Sequence, residues 1–267
     1  MQYAQTRKKL RAKEHRMPQS FRQPDILEIA RRDGKVTVDG LAEHFGVTVQ
    51  TIRRDLAELA EAGRLSRVHG GAVLPSGLSN IAYQDRRGLN AQAKAQIARR
   101  AAELIPDGAS LFLNIGTTTE AVAQALLHHE RLLVVTNNMN VANILMGNPG
   151  AEVVVAGGTM RHSDGGLIGP MALRMVEQFS LDCAVIGCSA LSESGDILDF
   201  DLGEVSVSQA MLQQSARKIL VADGSKFSRK APARIARLDE MDHFATDADL
   251  PAVLAERVQT WKTEVLI

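Results

Sequence analysis

Apolar residues along the chain follow two regimes, and the pattern changes near residue 90. Before that point they are sparse and helically spaced: Ile52, Leu56 and Leu59 recur at i, i+4 and i+7, one buried helix face. Gln50, Thr51, Arg53, Arg54 and Glu58 are left largely outside that face. The spacing predicts a helix over 24–32, opened by Pro24 at its first position. A short extended Lys35-Val36 follows, then a second helix capped by Thr37 and running through His44, with Leu41, Ala42 and Phe45 as its contacts. Gly46-Val47 supplies a tight turn. Thr48 caps the third helix, which reaches Ala62 and stops where Gly63 can take a left-handed conformation. Leu65-Ser66-Arg67-Val68 and Ala72-Val73-Leu74, joined by His69-Gly70-Gly71, predict a β-hairpin. Three helices and a hairpin in this order form a winged helix-turn-helix.

From about residue 91 helices alternate with short, continuously apolar strands. The predicted pairs are helix 94–104 with strand 109–113, 119–128 with 132–136, 141–146 with 152–156, 171–179 with 183–187, and 204–215 with 218–222. Continuous rather than alternating apolarity marks strands buried on both faces, hence an α/β domain with a mostly parallel sheet between helices. Between the regimes, Pro75-Ser76-Gly77-Leu78-Ser79-Asn80 reads as a linker. The expected organisation is a basic, disordered tail over 1–17, the winged domain over 18–74, a linker over 75–90, and a second domain over 91–267.

Charge sharpens this division. The formal net charge is zero, yet residues 1–77 hold 14 Lys/Arg against 9 Asp/Glu, and the remainder carries the opposite excess. The tail alone, with six Lys/Arg and one Glu, accounts for the basic excess, and Met17 is an alternative start. A case for a polyanion partner therefore rests on where arginines sit rather than on bulk charge. No apolar run approaches the ~20 residues of a membrane helix. No apolar segment follows the basic N-terminus as a secretory signal would require, and a cytoplasmic protein is expected. Cys183 and Cys188, five apart in one apolar run, point to opposite faces and read as buried free thiols. The histidines have no metal-ligand spacing, and neither a GxxxxGK[ST] loop nor a GxSxG turn occurs. Neither a metal nor a cofactor is expected.

Two groups of residues could carry chemistry. A capped helix presenting Thr48, Gln50, Thr51, Arg53 and Arg54 beside a wing bearing Arg67 and His69 suits double-stranded DNA, the helix against base edges and the wing along phosphates. In the second domain, Asn114-Ile115-Gly116-Thr117-Thr118-Thr119 runs from a strand into a helix, a combination of glycine, hydroxyls and free N–H groups that suits an anion. Thr136-Asn137-Asn138, Gly157-Gly158 and Asp223-Gly224-Ser225-Lys226 fall at equivalent strand ends, where ligands of such sheets bind. Gly116, Thr117, Thr118, Thr119, Asn137, Asp201 and Lys226 are the candidate ligand residues; Asp199 and Glu204 complete an acidic group that could accept from hydroxyls. A plain helix cap is the alternative role for Asp201 and Glu204, and a threonine-rich N-cap is the alternative for the loop at Gly116–Thr119.

The segment Val47-Thr48-Val49-Gln50-Thr51-Ile52-Arg53-Arg54-Asp55-Leu56, followed by Arg67-Val68-His69-Gly70-Gly71-Ala72, resembles the N-terminal signature of the DeoR family of bacterial transcriptional repressors. The resemblance extends from about residue 18 over nearly the whole chain. Asn114-Ile115-Gly116-Thr117-Thr118, Thr136-Asn137-Asn138-Met139-Asn140, Asp164-Gly165-Gly166-Leu167-Ile168-Gly169, Asp199-Phe200-Asp201 and Ser225-Lys226-Phe227 point to its glycerol-3-phosphate regulon subgroup. It implies a ribose-5-phosphate isomerase-like sensor that binds a phosphorylated metabolite, most simply sn-glycerol 3-phosphate, without turning it over. It also implies a homo-oligomer, dimer or tetramer, on operator half-sites. A sugar-phosphate isomerase-like enzyme, or the same repressor answering another sugar phosphate, are the alternatives. Two departures from the family pattern stand out. Asn114 replaces the usual aspartate, and Val205-Ser206-Val207-Ser208-Gln209-Ala210 lacks the usual basic residue.

Overall fold

A computed structural model describes residues 19–33, 35–62, 64–68, 70–73, 83, 86 and 90–267. The chain forms two compact units, Met1–Ser79 and Asn80–Ile267. The expected tail, the Gly63 stop and the wing residue His69 lie outside the described residues.

The first unit holds α1 (Gln19–Asp33), β1 (Lys35–Thr37), α2 (Val38–Phe45), α3 (Val49–Glu61), β2 (Ser66–Val68) and β3 (Gly71–Val73). Ile26, Leu27, Leu41, Ile52, Leu56 and Leu59 form its core. The Thr37 hydroxyl accepts from Gly40 N–H and the Thr48 hydroxyl from Thr51 N–H, so both predicted caps are present. Gly46 adopts φ 61° at the α2 end, a left-handed turn that favours glycine. Two expectations change. Pro24 lies inside α1 rather than at its start. Proline in a helix interior costs about 3 kcal/mol, but the flanking turns are tied to α3 through Arg22–Asp55 at 2.9 Å and Gln23–Glu58 at 2.9 Å. The extended Lys35-Val36 is also a true strand, pairing antiparallel with β3 to make a three-stranded sheet. A side chain on Gly71 would meet the Val36 carbonyl oxygen at 1.9 Å, so only glycine admits this pairing.

The second unit opens with α4 (Ala91–Glu103) and alternates β4 (Ser110–Leu113), α5 (Thr117–Ala125), β5 (Leu132–Thr136), α6 (Met139–Leu145) and β6 (Ala151–Val155). A small hairpin, β7 (Thr159–Met160) and β8 (Leu167–Ile168), precedes α7 (Pro170–Val176) and β9 (Leu181–Ile186). Then come β10 (Ala190–Leu191), β11 (Asp196–Asp199), α8 (Leu202–Gln213), β12 (Ser215–Val221), β13 (Ala233–Arg237), β14 (His243–Ala245), α9 (Ala252–Val258) and β15 (Glu264–Leu266). Seven strands form a parallel sheet in the order β15-β14-β12-β9-β4-β5-β6.

Successive side chains feed opposite cores, as period two requires. Leu111, Leu113, Cys183 and Val185 pack on one face, whereas Phe112, Ala184 and Ile186 pack on the other. The predicted strand over 152–156 is β6, and its side chains are only partly covered because it lies at the sheet edge. The order reverses between β4 and β9: one run proceeds through β5 to β6, the other through β12 to β15. This is the switch point where an open parallel sheet leaves a crevice at its carboxyl edge.

Candidate functional site

On α3 the side chains of Gln50, Arg53 and Arg54 are exposed, whereas Ile52, Asp55 and Leu56 are buried. Amphipathic spacing thus turns one polar stripe outward. Thr48 and Thr51 share a hydroxyl contact at 2.9 Å, which ties up part of their hydrogen-bonding capacity at the helix start. Arg54 is 77% exposed and lies 3.2 Å from Glu58, one helical turn on. Arg67 is exposed on β2 of the same unit.

In the second unit the crevice between β4 and β9 is built from the loops at their ends. Asn114, nearly inaccessible, accepts from Gly187 N–H at 2.9 Å and donates to the Ser208 hydroxyl of α8 at 3.1 Å. A neutral amide just beyond β4 thus faces a neutral hydroxyl on α8, within the segment 205–210 that carries no basic residue. Gly116, Thr117 and Thr118 open α5, whose first turn has no side-chain cap. Its leading N–H groups thus remain available to an anion. Thr119 turns its hydroxyl back into the loop. Its hydroxyl donates to the carbonyls of Asn114 and Gly116, both at 2.8 Å, and so closes the loop.

Asn137, at the end of β5, is fully buried and donates to the Leu167 carbonyl at 3.1 Å, while its Oδ1 has no partner among the described residues. An unpaired buried acceptor costs about 1–3 kcal/mol, and a ligand hydroxyl would satisfy it. Lys226 follows β12 in a short 3-10 turn, 9% exposed. Among the described residues its ammonium makes no hydrogen bond or ion pair. Burial pulls its pKa down, against the opposing pull of Asp223. Asp223 is itself held low: burial works to raise it, but Lys226, Ser225 and Asn90 outweigh that.

Asp201 caps α8 through Glu204 N–H at 3.0 Å and receives Arg161 at 3.0 Å. Both of its oxygens are thereby engaged. Arg161, absent from the sequence expectations, bridges Asp164, Asp201 and Glu204, with Nη2 lying 2.6 Å from an oxygen of Asp164 and of Glu204. Burial and the neighbouring Asp199 push Glu204 from 4.5 up to about 8, opposed by Arg161. Four further residues also reach this edge unannounced by any motif. Tyr83 donates to Glu120 at 2.9 Å and accepts from Asn140 at 3.0 Å. Lys94, lowered to about 8 by burial despite Asp223, donates to the Arg86 carbonyl. Arg229 is lowered by burial and then by Arg86.

The Glu204 shift gives a pH dependence. The folded chain retains a proton there that an unfolded chain releases above about 4.5, so stability falls as pH rises from 4.5 to about 8. Lys94 acts in another window, between about 8 and 10.5, where the unfolded chain binds the extra proton and stability rises with pH. Glu204→Gln should therefore flatten the fall in Tm expected of the wild type between roughly pH 5 and pH 8; parallel Tm profiles for the two proteins would contradict the assignment.

Burial raises the Cys183 thiol to about 11 and the Cys188 thiol to about 12, so neither supplies a thiolate at neutral pH. Cys188 lies just beyond β9; the residue is partly buried against the core, and its thiol is the covered part. Among the described residues no cluster of His, Cys, Asp and Glu could hold a metal ion, and no helix is long and apolar enough to cross a membrane. A hollow of about 420 Å³ beside Asp107, Asp182 and Arg217 lies at the opposite, amino edge of the sheet, away from the unpaired groups.

Comparison with known proteins identifies both units. The DeoR-like helix-turn-helix domain matches residues 22–77, and the DeoR C-terminal sensor domain matches residues 89–248. The chain is 45% identical to the glycerol-3-phosphate regulon repressor of Escherichia coli, over 88% of this chain and 93% of that protein. It is 42% identical to the repressor of the same name from Haemophilus influenzae, over 94% and 98%. Among solved structures, ribose 5-phosphate isomerase A of Neisseria gonorrhoeae is a distant likeness. Its identity is 15% and its TM-score 0.37, over 51% of this chain and 53% of that one.

Proposed function

This chain belongs to the DeoR family of transcriptional regulators, and from that premise we propose that sn-glycerol 3-phosphate governs its grip on operator DNA. It is a repressor with a helix-turn-helix DNA-binding domain and a metabolite sensor, not an enzyme. In this reading Gln50, Thr51, Arg53 and Arg54 read base edges, Thr48 holds the helix start, and Arg67 and His69 follow the backbone. Residues 18–74 are the reader, 75–90 the link and 91–267 the sensor of a cytoplasmic homo-oligomer, which places one reader on each operator half-site.

The observation that carries the effector assignment is Lys226: a cation nine-tenths buried and unpaired, at the same strand edge as an uncapped helix start and an unpaired Asn137 oxygen. A buried unpaired ammonium is costly, and an anion would relieve that cost. Lys226 and the first turn of α5, with Gly116, Thr117 and Thr118, would take the phosphate; Asn137 would take a hydroxyl. Asp201 contributes through Arg161, and Thr119 by fixing the loop. The names of the relatives in two bacteria favour glycerol 3-phosphate over other phosphorylated metabolites of similar size.

Release of DNA requires only that the effector prefer the conformation that binds operator poorly, and the same coupling must act in reverse. The test is a thermal-shift panel of phosphorylated three- to six-carbon metabolites, followed by operator release with each hit. Glycerol 3-phosphate should raise the wild-type Tm and release operator, and Lys226→Met should lose both responses. A full response in that variant, or none to glycerol 3-phosphate in wild type beside a response to a different metabolite, would overturn the assignment.

A further inference from the structure

Three described residues just before α4 belong to the second unit by contact, although they lie in the stretch leading from the DNA-reading domain. Each is held at a different strand-end loop. Tyr83 joins Glu120 of α5 and Asn140 of α6. Arg86 stands 3.7 Å from Asp164, in the loop between β7 and β8. Asn90 donates to Asp223, after β12, at 3.0 Å. These three residues therefore meet the carboxyl edge of the sheet on both sides of the switch point.

Arg86 is the least satisfied of the three. Its side chain is 16% exposed, and its Nε is buried without a hydrogen-bond partner. Asp164 lies closer to Arg161, whose Nε and Nη2 reach it at 2.8 and 2.6 Å. Arg86 is thus a loosely held second cation on that carboxylate. It also stands within electrostatic reach of Lys94, Lys226 and Arg229, each of which it disfavours as a cation. Although Asp164 and Asp223 stand among these cations, Lys226 is left unpaired and Arg86 half-used, and an anion would engage both. An arginine fork with a free Nε suits two phosphate oxygens better than a lysine does.

We propose that Arg86 is an effector-binding residue that donates to the same phosphate group as Lys226, so that the site is completed by the stretch leading from the DNA-reading domain. The proposal rests on the phosphate-sensing function.

The test is calorimetric titration of the full chain with two probes, sn-glycerol 3-phosphate and inorganic phosphate, in wild type, Arg86→Ala, Arg86→Lys and Lys226→Met. Loss of a charged hydrogen-bond donor to phosphate should weaken binding about 10- to 100-fold. Arg86→Ala should weaken both probes by a similar factor, because both share the phosphate, and Arg86→Lys should recover part of the loss. If Arg86→Ala does not fold, Arg86→Gln carries the same comparison. Wild-type affinity in Arg86→Ala beside loss in Lys226→Met would overturn this proposal and leave the phosphate-sensing function standing. A loss of affinity for glycerol 3-phosphate without one for inorganic phosphate would overturn it equally. Failure of wild type to bind either probe would overturn both.

Discussion

Replacing Arg53 and Arg54 together by alanine is expected to abolish specific operator binding while leaving the effector's thermal stabilisation in place. Both side chains are exposed on the capped N-terminal half of α3, where a recognition helix meets base edges. A lost bidentate arginine–guanine contact costs about 1–3 kcal/mol per base pair. A dimer reading two half-sites would lose each contact twice. The structural cost is small by comparison, since the Arg54–Glu58 pair is an exposed i, i+4 contact of a kind worth a few tenths of a kcal/mol. Loss of binding therefore reports contact with DNA rather than unfolding.

The measurement is a mobility shift on DNA selected by the wild-type protein from a random pool, repeated over a range of salt. A base-reading arginine changes which sequences are preferred. A phosphate-contacting one weakens all sequences alike and lowers the salt slope by about 0.9 per contact. Undiminished, sequence-specific binding by the double variant would remove α3 from the interface.

Much of this was legible before the fold was known, and the reason is physical. Buried parallel strands must be apolar at every position, so 109–113, 132–136, 183–187 and 218–222 stand out as continuous runs, each within a residue or three of β4, β5, β9 and β12. Loops at their carboxyl ends carry the glycines, hydroxyls and amides that an active edge needs, so Gly116, Asn137 and Lys226 could be picked out. Much of what escaped is too short to show a period. β14 and β15 are three residues each, and the β7–β8 and β10–β11 pairings are two, too short for alternation to register.

The site residues that escaped share another cause. Arg161 reaches Glu204 across 43 positions and Tyr83 reaches Glu120 across 37, distances at which no spacing rule operates. Asn114 shows this most clearly: the residue is visible in the sequence, but its 3.1 Å contact with Ser208 across 94 positions is not. Together they add no charge of their own between β4 and α8. A lone aspartate at 114 would lose the donor to Ser208 and place its charge beside the Gly187 carbonyl, where Asn114 now donates.

The second large effect concerns how α3 is held. Arg22→Leu should destabilise the DNA-reading unit by about 3–5 kcal/mol, because it leaves the carboxylate of Asp55 buried without its cation. Asp55 is 1% exposed, and Arg22 lies 2.9 Å away with a second contact at 3.4 Å. The pair fastens the proline-bearing α1 to the middle of the recognition helix, so its loss should also free the surface that Arg53 and Arg54 present. The double substitution Arg22→Leu/Asp55→Leu should recover most of the loss, since replacing both partners of a buried pair by apolar groups is often close to neutral.

The chain offers a means of localising the damage. Its single tryptophan, Trp261, packs against the core of the sensor unit. Far-ultraviolet circular dichroism follows both units, whereas tryptophan fluorescence follows only the sensor. Arg22→Leu should lower the circular dichroism transition and leave the fluorescence transition in place. Equal shifts of both signals would mean that the two units unfold as one, and an unshifted circular dichroism curve would mean that the buried pair does not hold α3.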